Sequence, residues 1–315
     1  MIRSIVKDRS PNQAISALAN AIARFAQNDG DYKTEIPALS LHRRSSPSDP
    51  LPCIFSLGLG VVAQGRKQAL LGSDVIQYGP GQSVLTTIEL PVSSHVTHAS
   101  AQEPLLGLML TFDRQDIEQW AADMPLAAVH RAAIHRSVDV EWLDERVAWD
   151  LVRLIELLDQ PQLLTSLAPL IQQEIIIRLL TGPHAPQLLR LVGEGSPSQQ
   201  ISKAVAWIKN HFAQIMKVDE LADRVHMSPS TFRQHFRTMT GTSPLQYQKQ
   251  LRLQEARYLM LSQKMDAGHA GHQVGYESAS QFSREYNRLF GLPPQQDIQR
   301  IRKSDERLAP AQLRS

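Results

Sequence analysis

One cysteine in 315 residues, Cys53, leaves no disulfide to be made within the chain and fits a reducing compartment. No run approaches the length of about eighteen apolar residues that a membrane-crossing helix needs. The N-terminus also lacks the charged-then-apolar layout of a secretory signal. The expected location is therefore the cytoplasm, with no membrane partner. Metal-ligating patterns are missing as well: no His-x-His is followed by a nearby glutamate. His95 and His98 lie three apart, and on a strand that spacing points them to opposite faces, so they cannot share an ion. His42 is the only other histidine in that segment. No metal, cofactor or catalytic residue is expected. Cys53 reads as a buried structural thiol, with a redox or electrophile sensor as the other reading.

A net charge of only +2 conceals an uneven distribution. Residues 199–303 carry 15 Lys+Arg against 8 Asp+Glu, a net of +7, whereas residues 1–198 carry 16 against 21, a net of −5. A basic module attached to an acidic one suits a nucleic-acid reader with a separate regulatory part.

Aromatics make up only 6% of the chain, yet several recur at matched positions of an internal repeat. Ala222, Val225 and Met227 match Gly271, Val274 and Tyr276 at a spacing of 49. The offset then becomes 50 for Ser228/Ser278, Phe232/Phe282, Phe236/Tyr286, Gly241/Gly291 and Pro244/Pro294, with Glu277 as the extra residue. Repeats of this length signal one supersecondary unit used twice. Each copy predicts helix, tight turn, helix. Leu221, Ala222 and Val225 have the spacing of an apolar helix face. His226 and Gly275 occupy equivalent turn positions, which suits a left-handed backbone. Ser228-Pro229 is an N-cap followed by a proline in the first turn, and Gly241 and Gly291 stop the second helix of each unit.

The face opposite the phenylalanines carries Ser230, Thr231, Arg233, Gln234 and Arg237 in the first unit, and Ser280, Gln281, Ser283, Arg284 and Arg288 in the second. Arginine can bond guanine bidentately and glutamine can do so with adenine, so such a face suits a helix lying in the major groove. Gly268 and Gly271 cost the second unit's first helix about 1 kcal/mol each relative to alanine, which predicts a looser unit.

These motifs resemble the AraC/XylS family of transcription regulators: L-A-x-x-V-x-M-S-x-S-x-F-R-x-x-F-R, the run S-P-L-Q-Y-Q-K-Q-L-R-L-Q-E-A-R-Y-L-M-L, and V-G-Y-E-S-x-S-Q-F-S-R-E-Y-x-R-x-F-G-x-P-P. The resemblance covers the last third of the chain. It implies base contacts by Ser230, Arg233, Gln234, Ser280, Gln281 and Arg284. Phosphate contacts are expected from Thr231, Arg237, Lys249, Ser283 and Arg288, and Arg252 in the linker helix is expected to be structural or phosphate-facing.

Upstream, residues 11–27 place Ile15, Leu18, Ile22 and Phe25 at helical spacing. From residue 34 to 112, short apolar runs alternate with turn signals such as Gly79-Pro80-Gly81, the pattern of a small barrel or sandwich. The family resemblance makes this a cupin-like sensor barrel. Asp113 is expected to cap a helix running through Trp120. After Pro125 a linking stretch leads to helices over Glu141–Leu158 and Gln162–Leu180. The first has Leu143, Val147, Leu151, Leu154 and Leu158 as a seam flanked by further apolar residues, expected either at a dimer interface or inside an intrachain bundle. Residues 193–198, G-E-G-S-P-S, read as a linker, and Gln199–Phe212 opens the DNA-binding domain.

The expected class is thus α+β. A sensing and dimerisation region spans residues 1–192, with the barrel at about 34–112 and helices over 113–192. Residues 199–303 form an all-α domain of two helix-turn-helix units, and 304–315 are a polar tail. Expected partners are double-stranded DNA, a small-molecule effector, RNA polymerase if the protein activates, and a second copy of the chain. Activation is expected over repression. The alternative is a cupin-type isomerase or dioxygenase with a DNA-binding tail.

Overall fold

The structure, a computed structural model, describes residues 13–122, 135–193 and 195–308, with side chains as far as Lys303. The linking stretch expected after Pro125, as far as residue 134, and the end of the polar tail lie outside the described residues. The amphipathic segment near the start forms α1 (Gln13–Phe25), which buries Ile15, Leu18 and Ile22. Nine strands follow: β1 (Gly30–Lys33), β2 (Leu39–Arg44), β3 (Leu51–Phe55), β4 (Gly58–Gln64), β5 (Arg66–Leu71), β6 (Asp74–Tyr78), β7 (Gln82–Thr86), β8 (Leu90–His98) and β9 (Leu105–Thr111). A tenth strand, β10 (Val138–Trp142), pairs antiparallel with β7. The strands form two antiparallel sheets in the orders β1-β2-β9-β4-β7-β10 and β3-β8-β5-β6.

β10 falls where the seam pattern predicts the start of a helix. Val138-Asp139-Val140-Glu141-Trp142 alternates apolar and polar residues, and the open edge of β7 takes up that period of two. Asp144 then begins the helix, its carboxylate accepting from Arg146 N at 2.8 Å. That helix, α3, runs Glu145–Glu156. It follows α2 (Arg114–Ala122), where Asp113 accepts from Gln115 N at 2.8 Å as its capping role requires. A 3-10 turn at Leu157–Asp159 leads into α4 (Pro161–Thr181).

The expected seam of α3 is used inside the chain. Val147, Leu151 and Leu154 are fully buried, one flank of the helix packing on α1 and the other on α4. What α4 leaves outside is a different stripe, with Leu167 39% and Leu170 58% exposed. By length and composition α4 is apolar enough to cross a bilayer, but it also packs on α2 and on α5 (Ala185–Val192). Between α3 and α4, Asp150 is paired with Arg178 at 2.8 Å and with Arg153 at 3.1 Å.

The expected linker is shorter than G-E-G-S-P-S. Ser196 and Pro197 already begin α6 (Pro197–Asn210), and the Ser196 hydroxyl both caps Gln199 N and donates to Arg190 O at 2.8 Å. The two repeat units follow as α7 (Val218–Arg224) with α8 (Pro229–Thr240), and α10 (Ala267–Gln273) with α11 (Ala279–Phe290). The linker helix α9 (Pro244–Ser262) joins them, and α12 (Pro294–Leu308) closes the domain. The tail from residue 304 therefore begins as helix.

The cores do not divide where the sequence divides. Phe232 and Phe236 of the first unit and Tyr247 of the linker helix belong to one continuous apolar cluster with the barrel, while the second unit has its own cluster around Phe282 and Tyr286. Phe236 meets Tyr247 edge-on with ring centroids 5.5 Å apart, and each such buried ring contributes roughly 1.5–3 kcal/mol. At the junction Tyr247 Oη donates to Glu89 O at 2.7 Å, Lys209 pairs with the Glu89 carboxylate at 2.5 Å, and Ser137 N donates to Met239 O at 3.3 Å. Gly72, at φ +61° in the two-residue turn between β5 and β6, abuts Gly241, the left-handed C-cap of α8. A Cβ on Gly72 would stand 2.3 Å from Gly241 O, so only glycine permits this docking.

Candidate nucleic-acid interface and barrel cavity

In each unit a left-handed residue turns the chain between its two helices: His226 at φ 56° and Gly275 at φ 91°. Both follow from the repeat. Gly275 has a second reason to be glycine, because a Cβ there would lie 2.1 Å from Ala213 O. Ser228 and Ser278 then cap α8 and α11, accepting from Thr231 N and Gln281 N.

With Phe232, Phe236, Phe282 and Tyr286 buried, the opposite face of each second helix is outward. Ser230, Arg233, Gln234 and Arg237 are exposed on α8, and Ser280, Gln281, Ser283, Arg284 and Arg288 on α11. Thr231 is half-buried and its hydroxyl accepts from Ser228 Oγ at 2.8 Å. Two expected DNA-facing cations already have acidic partners. Arg233 pairs with Asp219 on α7 at 2.5 Å, and Lys249 pairs with Glu285 on α11 at 3.0 Å. Glu285 also accepts from Tyr276 Oη at 2.8 Å and from Gln281 Nε2 at 3.3 Å. Burial alone would raise the Glu285 pKa, but these donors together lower it.

Arg252 spans the joint between the units. It donates from Nε to Phe212 O at 2.6 Å, from Nη2 to Gln214 O at 2.9 Å and from Nη1 to Gly275 O at 3.0 Å. All three acceptors are main-chain carbonyls, so its guanidinium ties the loop after α6 to the turn of the second unit. Of the two roles expected for it, this geometry is the structural one. Gly271 likewise has a packing reason: a Cβ there would lie 2.9 Å from Cγ of Phe282, so glycine lets α10 close onto α11. Gly268 sits in the capped first turn, its N–H donating to Asp266 at 2.9 Å. Gly271 thus has a packing role, whereas the cap bond of Gly268 uses a main-chain N–H that any residue but proline supplies.

The second candidate site is a cavity of about 530 Å³ between the two sheets. Its walls include Val62, Val84, Val96 and Met109, with Arg257 contributed by the linker helix. One end holds an ion cluster: Asp31 receives Arg44 on both carboxylate oxygens at 2.8 and 2.9 Å and contacts His42 at 2.7 Å. Burial would raise the Asp31 pKa, but His42 and Arg44 hold it well below the ordinary carboxylate range. Elsewhere in the wall stand Lys67, whose pKa is lowered chiefly by burial, and Cys53, whose thiol burial pushes up to about 11. Spacing and composition did not single out Lys67, because R-K-Q reads as an ordinary polar strand end until β5 is paired. Of the two histidines, His95 belongs to the cavity wall, whereas His98 is exposed beside Thr97. Among the described residues no group of three or more His, Cys, Asp or Glu side chains is placed to hold a metal ion.

Residues 35–187 match the family described as AraC-type transcriptional regulator N-terminus, and residues 221–300 match a helix-turn-helix domain family. The HTH-type transcriptional activator RhaS of Escherichia fergusonii is 26% identical over 155 residues, covering 49% of this chain and 55% of that protein. RhaS of Shigella boydii is 28% identical over 115 residues, covering 34% and 41%. The matched region thus spans about half the length of these curated relatives. Wild-type ToxT of Vibrio cholerae, solved with an unsaturated fatty acid bound, superposes with a TM-score of 0.59 over 86% of this chain and 96% of its own, at 9% identity. At that identity the likeness is one of fold: a β-rich N-terminal domain of two sheets followed by a helical helix-turn-helix domain, α+β overall. Both parts are thus matched: the chain carries an AraC-type regulator N-terminal domain followed by a helix-turn-helix domain, and it is homologous to the activator RhaS.

Proposed function

We propose that the chain is a sequence-specific regulator of transcription that binds double-stranded DNA, responds to a small molecule in the barrel cavity, and activates rather than represses. The observation that carries the reading is the pair of capped helices, α8 and α11. Each buries its aromatic face and presents serine, glutamine and arginine outward from a left-handed turn. Those are the side-chain types that read base edges in the major groove. Ser230, Arg233 and Gln234 would read one segment, and Ser280, Gln281 and Arg284 the next. Thr231, Arg237, Ser283 and Arg288 would hold phosphates, with Lys249 joining them once it leaves Glu285.

That RhaS is a transcriptional activator supports the sign of regulation and, with activation, RNA polymerase as a partner. The shared core between barrel and first unit supports coupling, because a ligand that shifts the barrel also shifts the seat of α8. A second copy of the chain would pack on α4, where Leu163, Leu167, Leu170 and Ile177 recur at spacings of four, three and seven along one stripe.

The test is selection of bound duplexes from a random DNA pool by the full-length protein at several salt concentrations. The expected result is one enriched motif with two blocks about one helical turn apart. Binding without sequence preference at every salt concentration would overturn the reading.

A further inference from the structure

Strand register brings three polar groups to one place on the inner face of the smaller sheet. Lys67 pairs with Tyr78 across β5–β6 and with Val96 across β5–β8, and Ala69 pairs with Ser94. Partners directly across a ladder share a face, and so do residues two apart on one strand. Lys67, Tyr78 and Ser94 therefore face the same way as Ala69 and Leu71, which are buried. All three line the cavity. None has a partner there: Ser94 Oγ is buried without a hydrogen bond, and among the described residues neither the Lys67 ammonium nor the Tyr78 hydroxyl makes a hydrogen bond or ion pair. The carboxylate of the same cavity, Asp31, is occupied by Arg44 and His42. A cation facing a cavity without an ion-pair partner is costly, and the buried Ser94 hydroxyl without a hydrogen bond adds to that cost.

We propose that Lys67, Tyr78 and Ser94 form an anion subsite, and that the cavity takes a monocarboxylic acid with a compact apolar body. One ammonium and two hydroxyl donors match the single charge and the acceptor oxygens of a carboxylate. The two guanidiniums of the cavity wall, Arg44 and Arg257, are already neutralised by Asp31 and Asp297, so a doubly charged phosphate would lack its second cation. Val62, Val84, Val96 and Met109 supply the apolar remainder, and a volume of about 530 Å³ suits a small organic ligand. This inference rests on the small-molecule reading of the cavity given above and names its ligand class.

The test uses the full-length protein and matched pairs of octanoate, cyclohexylacetate and phenylbutyrate with their primary amides. Binding is followed by thermal shift and by protection of Cys53, the chain's single thiol and part of the cavity wall, from a neutral thiol reagent. Acids should bind and protect, and amides should do so much more weakly. Lys67→Met should lower affinity for the acids by about tenfold to a hundredfold, the equivalent of one lost charged hydrogen bond. Without ligand, the same variant should melt no lower than wild type, because an unpaired enclosed charge has been removed. A lysine needed only for structure would melt lower. Equal binding of acids and amides, or unchanged acid binding in Lys67→Met, would overturn the subsite and leave the cavity reading standing. No binding by any member of the panel would remove both.

Discussion

Replacing Arg252 with methionine separates the two roles that a linker-helix arginine can have. In the structure it makes three hydrogen bonds to main-chain carbonyls: Phe212 O, Gln214 O and Gly275 O. A bond from a charged donor contributes about 1.5–3 kcal/mol, so three independent bonds would amount to about 4–9 kcal/mol. They are not independent, because Gln248 Nε2 also donates to Phe212 O at 2.9 Å and to Gln214 O at 2.8 Å. In the variant those two carbonyls keep a partner, and the loss centres on Gly275 O. Methionine refills much of the stem volume, and the cost of burying the guanidinium is returned. The expected loss is therefore about 2–4 kcal/mol, read as a lower urea midpoint for unfolding of the second unit. DNA titrations at several salt concentrations, under conditions where both proteins are folded, supply the second readout. A structural arginine leaves the salt slope unchanged, whereas a phosphate contact flattens it by about one unit. An unaltered midpoint together with a flattened slope would refute the argument from the three carbonyls.

Four further outcomes follow from other parts of the molecule. Asp219→Ala releases Arg233 from an exposed pair worth at most about 1 kcal/mol, so affinity should rise modestly on every duplex in a gel-shift series; weaker binding would contradict it. Arg233→Ala should relax selection in one block of the enriched motif, by about 1–3 kcal/mol at the affected base pair, while Arg237→Ala should weaken all sequences alike. An identical profile for the two variants would remove the division into base and phosphate contacts. His184 is buried against Ser83 at 2.8 Å, and burial lowers its pKa from 6.5 to about 4. The unfolded chain therefore binds the extra proton between those values, so its contribution is complete above pH 6.5 and lost towards pH 4, about 3 kcal/mol in all. His184→Gln should flatten stability across that window in pH-dependent melting, and an unchanged slope would assign the acid sensitivity elsewhere. Leu170→Lys on the exposed stripe of α4 should yield monomers in sedimentation without loss of folding; an unchanged mass would take α4 out of the interface.

The tandem reader was legible in the sequence because its determinants are local. A left-handed turn residue, a serine cap, a pair of aromatics four apart and a stop glycine each act within a turn or two of helix, and they occur twice. His226, Gly275, Phe232 and Phe282 could therefore be placed by spacing alone. Tertiary structure decided whatever depends on partners distant in the chain. Val138–Trp142 became a strand because β7 offered an edge more than fifty residues earlier. The α3 seam went inward because α1 and α4 flank it, leaving the outer stripe to α4. Gly271 looked like a weakness until the ring of Phe282 stood against it. Lys67, Tyr78 and Ser94 carry no shared motif, and their convergence exists only through the pairing of β5 with β6 and β8. Helix signals lie within a few residues of the positions they govern, whereas a barrel's inner face is assembled by register between separate strands.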